Sequence, residues 1–138
     1  MKDKDNENTI LNKNEVQRFL SALNWRLSSP DFDPEWDLNI LRIKGKSSNE
    51  YSNINTLLNL EFSNFDVCYT LKELKLSEYS HSVKDIIDDK PPALHVFGKV
   101  INNRLVYIKI KMKEYPDKNV VCVSFHYARR ELTFPYTE

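Results

Sequence analysis

The sequence predicts an α+β fold in which N-terminal helices pack on a C-terminal antiparallel β-meander, and two contrasting periodicities carry that prediction. Over residues 105–113 one strand parity holds Val106, Ile108, Ile110 and Met112, and the other holds Leu105, Tyr107, Lys109, Lys111 and Lys113. This is the alternation of a strand with one face packed and one face open. It returns over residues 120–126, where strict alternation assigns Val121, Val123 and Phe125 to the inner face and Val120, Cys122, Ser124 and His126 to the other. Near the start of the chain the apolar spacing is helical instead: Val16, Phe19, Leu20 and Leu23 form one stripe.

Taken in order, residues 1–8 are polar, with nothing to pack, and are expected to form a disordered tail. The first helix begins at Asn12 or Asn14, either of which can accept from free N–H groups, with Glu15 suited to the first turn. Pro30 and Pro34 end it. Residues 36–44 read as a short strand and residues 45–53 as a polar loop. A second helix covers residues 54–60, and Ser63 or Asn64 caps a third that carries Val67, Leu71 and Leu74. Residues 76–81 read as the exit from that helix, and residues 82–93 as a charged loop ending in Pro91-Pro92. Strands at 94–101 and 104–112 follow, joined by Asn102-Asn103, a dipeptide suited to the positive φ of a tight hairpin. The next connection, Tyr115-Pro116-Asp117-Lys118-Asn119, has turn chemistry throughout. A one-residue change of register flips every side chain of a strand, so His95, Phe97 and Lys99 take no face from sequence alone.

At 138 residues and 41% hydrophobic content, the chain suits one domain spanning residues 1–138. No stretch has the length of apolar sequence needed to span a bilayer, and Met1-Lys2-Asp3-Lys4-Asp5 leads into polar residues rather than the apolar segment of a secretion signal. A cytoplasmic protein that does not engage membranes is the expectation. Cys68 and Cys122 form no paired motif and are expected to be free, buried thiols. The formal net charge of +0 conceals a division: residues 1–89 carry 11 basic and 16 acidic side chains, residues 90–138 carry 9 and 4. The halves therefore stand at −5 and +5, and the basic half is the predicted sheet. Such an asymmetry creates a phosphate-attracting field on a neutral protein, though lysines also serve to cover the open side of a sheet.

Several chemistries are excluded. With two glycines, Gly45 and Gly98, no glycine-rich phosphate loop or dinucleotide fingerprint can be built. There is no Cys-x-x-Cys, no His-Glu-x-x-His and no calcium loop, and the three histidines are widely spaced, so neither a metal nor a cofactor is expected. The acidic pairs Asp31/Asp33 and Asp88/Asp89 sit among turn residues and read as solvated loop charges. Aromatic residues interleave with basic ones from Tyr107 to Tyr136, a pattern suited to stacking on unpaired bases.

Four blocks carry a resemblance: Val96-Phe97-Gly98-Lys99, Val106-Tyr107-Ile108-Lys109-Ile110-Lys111, Val121-Cys122-Val123-Ser124-Phe125-His126 and Leu132-Thr133-Phe134-Pro135-Tyr136. With Asn55-Thr56-Leu57-Leu58 and Leu76-Ser77-Glu78-Tyr79 upstream, the chain resembles the MqsR family of bacterial toxins over residues 54–136. The resemblance implies a RelE-like fold and a metal-independent endoribonuclease that cleaves single-stranded mRNA, the ribose 2′-hydroxyl attacking the adjacent phosphate. It also implies a cognate antitoxin as partner. Position by position, Tyr107 matches the family's active-site tyrosine, His126 falls where a functional lysine ends the Ser-Phe block, and His81 falls near another. Leu94 and His95 stand where members carry a glutamine. The resemblance thus makes Tyr107, His126, His81 and His95 the candidate catalytic residues, with Lys99, Lys109 and Lys111 as phosphate binders. Histidine in place of lysine changes the chemistry, since an ordinary imidazole exchanges protons near neutral pH and an ordinary ammonium does not. The competing readings are a non-catalytic RNA-binding or protein-interaction module on the same fold, and a small metal-dependent hydrolase.

Overall fold

The computed structural model describes residues 8–42, 49–84, 93–114 and 116–137. The first helix, α1 (Lys13–Leu27), starts on a capping box: the Asn12 side chain accepts from the Glu15 backbone N–H, and the Glu15 carboxylate accepts from the Asn12 N–H, each at 2.9 Å. Val16, Leu23 and Leu27 are buried along its inner stripe, with Phe19 and Leu20 half-buried beside them. A single-turn helix α2 (Pro34–Asp37), capped by the Asp33 carboxylate, leads directly into strand β1 (Leu38–Ile40). The predicted strand over 36–44 is therefore shorter, because proline at the first helical position favours a turn of helix over residues 34–37. The region predicted as a polar loop ends at Ser52, which caps α3 (Asn53–Leu60); residues 43–48 lie outside the described residues.

Helix α4 (Asn64–Lys72) follows, with Ser63 and Asp66 forming its capping box and Val67, Cys68, Thr70 and Leu71 buried. A 3₁₀ turn (Leu76–Glu78) then feeds β2 (Tyr79–Val83), β3 (Leu94–Ile101), β4 (Arg104–Met112) and β5 (Val120–Tyr127). Among the described residues the fold is thus α+β, with four α-helices and a five-stranded sheet in the order β1-β5-β4-β3-β2. The antiparallel meander is present in β3, β4 and β5, and β2 extends it antiparallel to β3. The sheet as a whole is mixed, because β1 pairs parallel with β5. Asn102 and Asn103 adopt φ of 52° and 68°, so the β3–β4 hairpin closes on the tight turn read from that dipeptide. The charged loop expected over 82–93 begins later, since Ser82 and Val83 belong to β2; residues 85–92 and the tail residues 1–7 lie outside the described residues.

The inner face of the sheet buries Phe97, Val106, Ile108, Ile110, Val120, Cys122, Phe125 and Tyr127 in the main hydrophobic cluster with Val16, Leu23 and Leu71 from the helices. Both cysteines are buried and free. The parity expected for β5 changes halfway along it. Lys109 pairs with Ser124 but Ile110 pairs with Cys122, so Val123 is the extra residue of a β-bulge. Val120 and Cys122 consequently point inward together with Phe125 and Tyr127, whereas uninterrupted alternation places them outward. No helix among the described residues is long and apolar enough to cross a membrane.

Candidate active site

The face turned away from the main hydrophobic cluster, here called the open face, is defined by the strand registers; on it Val96 and Ser124 are buried and His81, Tyr107, Lys109 and His126 are half-buried. One row runs His81 (β2), Val96 (β3), Lys109 (β4), Ser124 (β5); the next runs Gly98, Tyr107, His126. Tyr107, Lys109, Ser124, His126 and His81 therefore share this face. Lys111, paired with Val121, also belongs to it but is only 3% exposed, so it does not offer the open ammonium expected of a phosphate binder.

His95 and Lys99 do not join them. They stand opposite Ile110 and Val106, residues of the inner face. His95 is buried against Phe19 of α1, ring centroids 4.3 Å apart, and its Nδ1 lies 2.7 Å from the Ser82 hydroxyl. Lys99 turns to the Glu78 carboxylate at 3.2 Å. The physical reason is register: Phe97 must enter the core opposite Ile108, and His95 and Lys99 share its parity.

A C-terminal strap, residues 128–137, bounds the site. It leaves β5 with the Ala128 N–H donating to the Leu105 carbonyl at 2.9 Å and crosses the open face over Gly98. A Cβ at Gly98 would stand 2.8 Å from both Leu132 Cδ1 and Phe134 Cζ, so the strap sits where any side chain would project. Its far end is fastened by Tyr136, which stacks on Tyr79 and donates its hydroxyl proton to the Leu11 carbonyl.

Beside the strap, the Tyr107 and His126 rings stack at 5.2 Å with 12° between their planes. The Lys109 ammonium lies 6.0 Å from the Tyr107 ring. His126 Nδ1 is 3.0 Å from the Tyr127 carbonyl oxygen. A carbonyl only accepts, so Nδ1 carries the proton and Nε2 keeps its lone pair. Burial first, then the charges of Lys109 and Arg129, hold the His126 pKa below the ordinary 6.5, outweighing the carbonyl contact that raises it. The imidazole is neutral at neutral pH. Burial raises the Tyr107 pKa, so its hydroxyl stays protonated. His81 is likewise shifted down, by burial and then by Lys109, and its Nδ1 contacts the Ser80 hydroxyl at 2.8 Å.

Distance separates the two histidines. Three strand spacings and a two-residue offset put their Cα atoms about 16 Å apart, too far to share one phosphate, whereas Tyr107 and His126 are neighbours. His126 lies on β5 beyond the residues that β1 pairs. Parallel pairing covers β5 only as far as Cys122, and the rest of that edge is satisfied by α3. The Asn53 amide donates to the Leu41 and Val123 carbonyls at 2.8 and 3.0 Å and accepts from the Phe125 N–H at 2.9 Å; the Thr56 hydroxyl accepts from the Tyr127 N–H at 3.1 Å. These two side chains close a strand edge that would otherwise be left open.

Between β5 and the segment leading into α3 lies a cleft of about 260 Å³, lined by Tyr51, Ser52, Asn53, Ser124, His126 and Arg129 among others. Tyr51, Asn53 and Arg129 carry no distinctive signal in the sequence; Arg129, following the His126 block, offered the nearest clue. Among the described residues no group of three or more His, Cys, Asp or Glu side chains is arranged to hold a metal ion. Compared with protein-family models, with curated proteins and with solved structures, the chain gives no match.

Proposed function

We propose that the open face is the active site of a metal-independent endoribonuclease of the RelE-like, MqsR-type class, acting in the cytoplasm on single-stranded RNA. The observation that carries the reading is His126: a neutral imidazole with Nδ1 committed to a carbonyl and Nε2 unprotonated, stacked on a protonated tyrosine beside a lysine. Cleavage within RNA needs a base, an acid and a cation, and this face offers one of each. His126 Nε2 takes the proton of the ribose 2′-hydroxyl, and the 2′-oxygen attacks the adjacent phosphorus. The Lys109 ammonium stabilises the charge that gathers on the non-bridging oxygens. Tyr107 gives its hydroxyl proton to the departing 5′-oxygen, leaving a 2′,3′-cyclic phosphate and a 5′-hydroxyl; the phenolate then regains a proton from water and the imidazolium releases one. His81, on the far side of buried Val96, serves a neighbouring part of the strand.

With His126 as base and Tyr107 as acid, kcat/KM rises with pH through one ionisation below 6.5 and then stays level toward the tyrosine range. Were His81 the acid, the profile would be a bell. A defined single-stranded RNA incubated with the protein, with and without a chelator, tests the reading. Cleavage that survives chelation supports it. Cleavage abolished by chelation points to a metal-dependent hydrolase, and binding without cleavage to an RNA-binding module. A toxin of this class requires an antitoxin able to cover this face.

A further inference from the structure

We propose that the cleft beside His126 is a nucleobase subsite, in which Tyr51 supplies the stacking face and Arg129 holds the adjoining phosphate. The proposal rests on the RNA reading above and adds to it where the base next to the cleaved bond is held. Its location comes first. Val123, Ser124 and His126 form one wall, so whatever enters lies beside the His126 side chain. Its size comes second. About 260 Å³ is below the roughly 300–1,000 Å³ of clefts that hold drug-sized ligands, and suits one planar ring system with part of its sugar.

The lining also fits. The Arg129 guanidinium lies over the Tyr51 ring at 5.3 Å. A second such pair in the molecule, Arg104 over Tyr127, is closer, at 3.6 Å, so the Tyr51 pair is the looser of the two. Unpaired bases are bound by stacking on aromatic rings and guanidinium planes. Arg129 is exposed, is close enough to His126 to lower its pKa, and so stands where a phosphate next to that imidazole would be.

The rest of the frame is fixed. Asn53 spends its amide on three backbone groups, and the Asn49 Oδ1 accepts from the Tyr51 N–H at 2.8 Å, which holds that residue's backbone in place. Among the described residues neither the Asn49 amide nitrogen nor the Ser52 hydroxyl proton is donated to a protein acceptor. Asn49 and Ser52 both line the cleft, and an amide and a hydroxyl suit the edge of a base.

The test uses the full chain and a single-stranded RNA made resistant by 2′-O-methylation, with binding followed by fluorescence anisotropy. Tyr51 is partly packed on the core, so Tyr51→Leu, which keeps apolar bulk, and Tyr51→Phe, which keeps the ring, are compared after thermal melts confirm folding. Base stacking contributes roughly 1–3 kcal/mol, so Tyr51→Leu weakens binding by about 5- to 150-fold, Tyr51→Phe leaves it nearly unchanged, and Arg129→Gln flattens its salt dependence. Equal binding by wild type and Tyr51→Leu, or no binding of RNA at all, overturns the proposal. The catalytic reading fails separately: RNA bound through Tyr51 by a protein that cleaves nothing keeps the subsite and removes the nuclease.

Discussion

The two faces of the sheet each hold a histidine in a hydrogen-bonded setting, and the two settings differ. On the inner face His95, Ser82 and Tyr79 make a chain: 2.7 Å from ring to hydroxyl, 2.8 Å from hydroxyl to phenol, and 3.1 Å from the phenol to the Leu11 N–H. A neutral His95 whose Nδ1 accepts completes this chain head to tail, with every member buried or closed off. On the open face His126 has one nitrogen tied to a carbonyl and the other unprotonated, beside a cleft. Burial lowers both pKa values, and that of His95 falls to about 4. A shifted pKa by itself therefore marks neither a site nor a scaffold. What distinguishes the two is their surroundings: His95 stands inside a closed chain of partners, and His126 lines a cleft.

Breaking each member of the pair should give opposite results. His126→Ala is expected to lower RNA cleavage by about 10²- to 10⁴-fold, the usual range for a general base, with a melting temperature close to wild type. Rate and melt measured on the same preparation check this. His95→Asn should do the reverse, leaving cleavage in place and altering stability. The sign follows from linkage. The folded-state pKa of His95 lies below the unfolded 6.5, so between those values the unfolded chain binds a proton that the folded chain does not. The stability His95 contributes is present above pH 6.5 and is lost as pH falls toward 4, by about 3 kcal/mol in all. Urea titrations across that window should show a steep loss for wild type and a shallower one for His95→Asn.

Gly98→Val should disturb the strap that bounds the open face. Its branched Cβ meets Leu132 and Phe134 at 2.8 Å, and displacing them should cost about 1–3 kcal/mol in a denaturant titration. Lys109→Gln has the smallest effect. It removes a charge that depresses both His81 and His126, so both imidazole pKa values rise in an NMR titration. The slope of log affinity for RNA against log salt falls by about 1.

The sequence revealed much of this architecture where one rule governed. The period-two run through β4, the Asn102-Asn103 hairpin and the caps at Asn12 and Ser63 can each be read locally. β2 could not be read that way. Tyr-Ser-His-Ser-Val lacks an apolar alternation because its inward positions, Tyr79 and Ser82, are hydroxyl groups satisfied by the His95 chain. The bulge at Val123 leaves no trace in composition, and it reversed the faces of Val120 and Cys122 while leaving His126 on the open one. The site was legible to the same extent. Tyr107, Lys109 and His126 share one face as their parity implied, whereas the placement of His95 and Lys99 depended on the β3–β4 register. Tyr51 and Arg129 come together only through the packing of the segment before α3 against β5.

In the proposed reaction a ribose hydroxyl, activated by His126, is the nucleophile. Its role is tested by comparing, in chelator, a single-stranded RNA with the same strand carrying one 2′-deoxyribose at the cut position. The expected result is cleavage of the first to a 2′,3′-cyclic phosphate and a 5′-hydroxyl, with the second intact at that bond. Equal cleavage of both strands, or of neither, would contradict it.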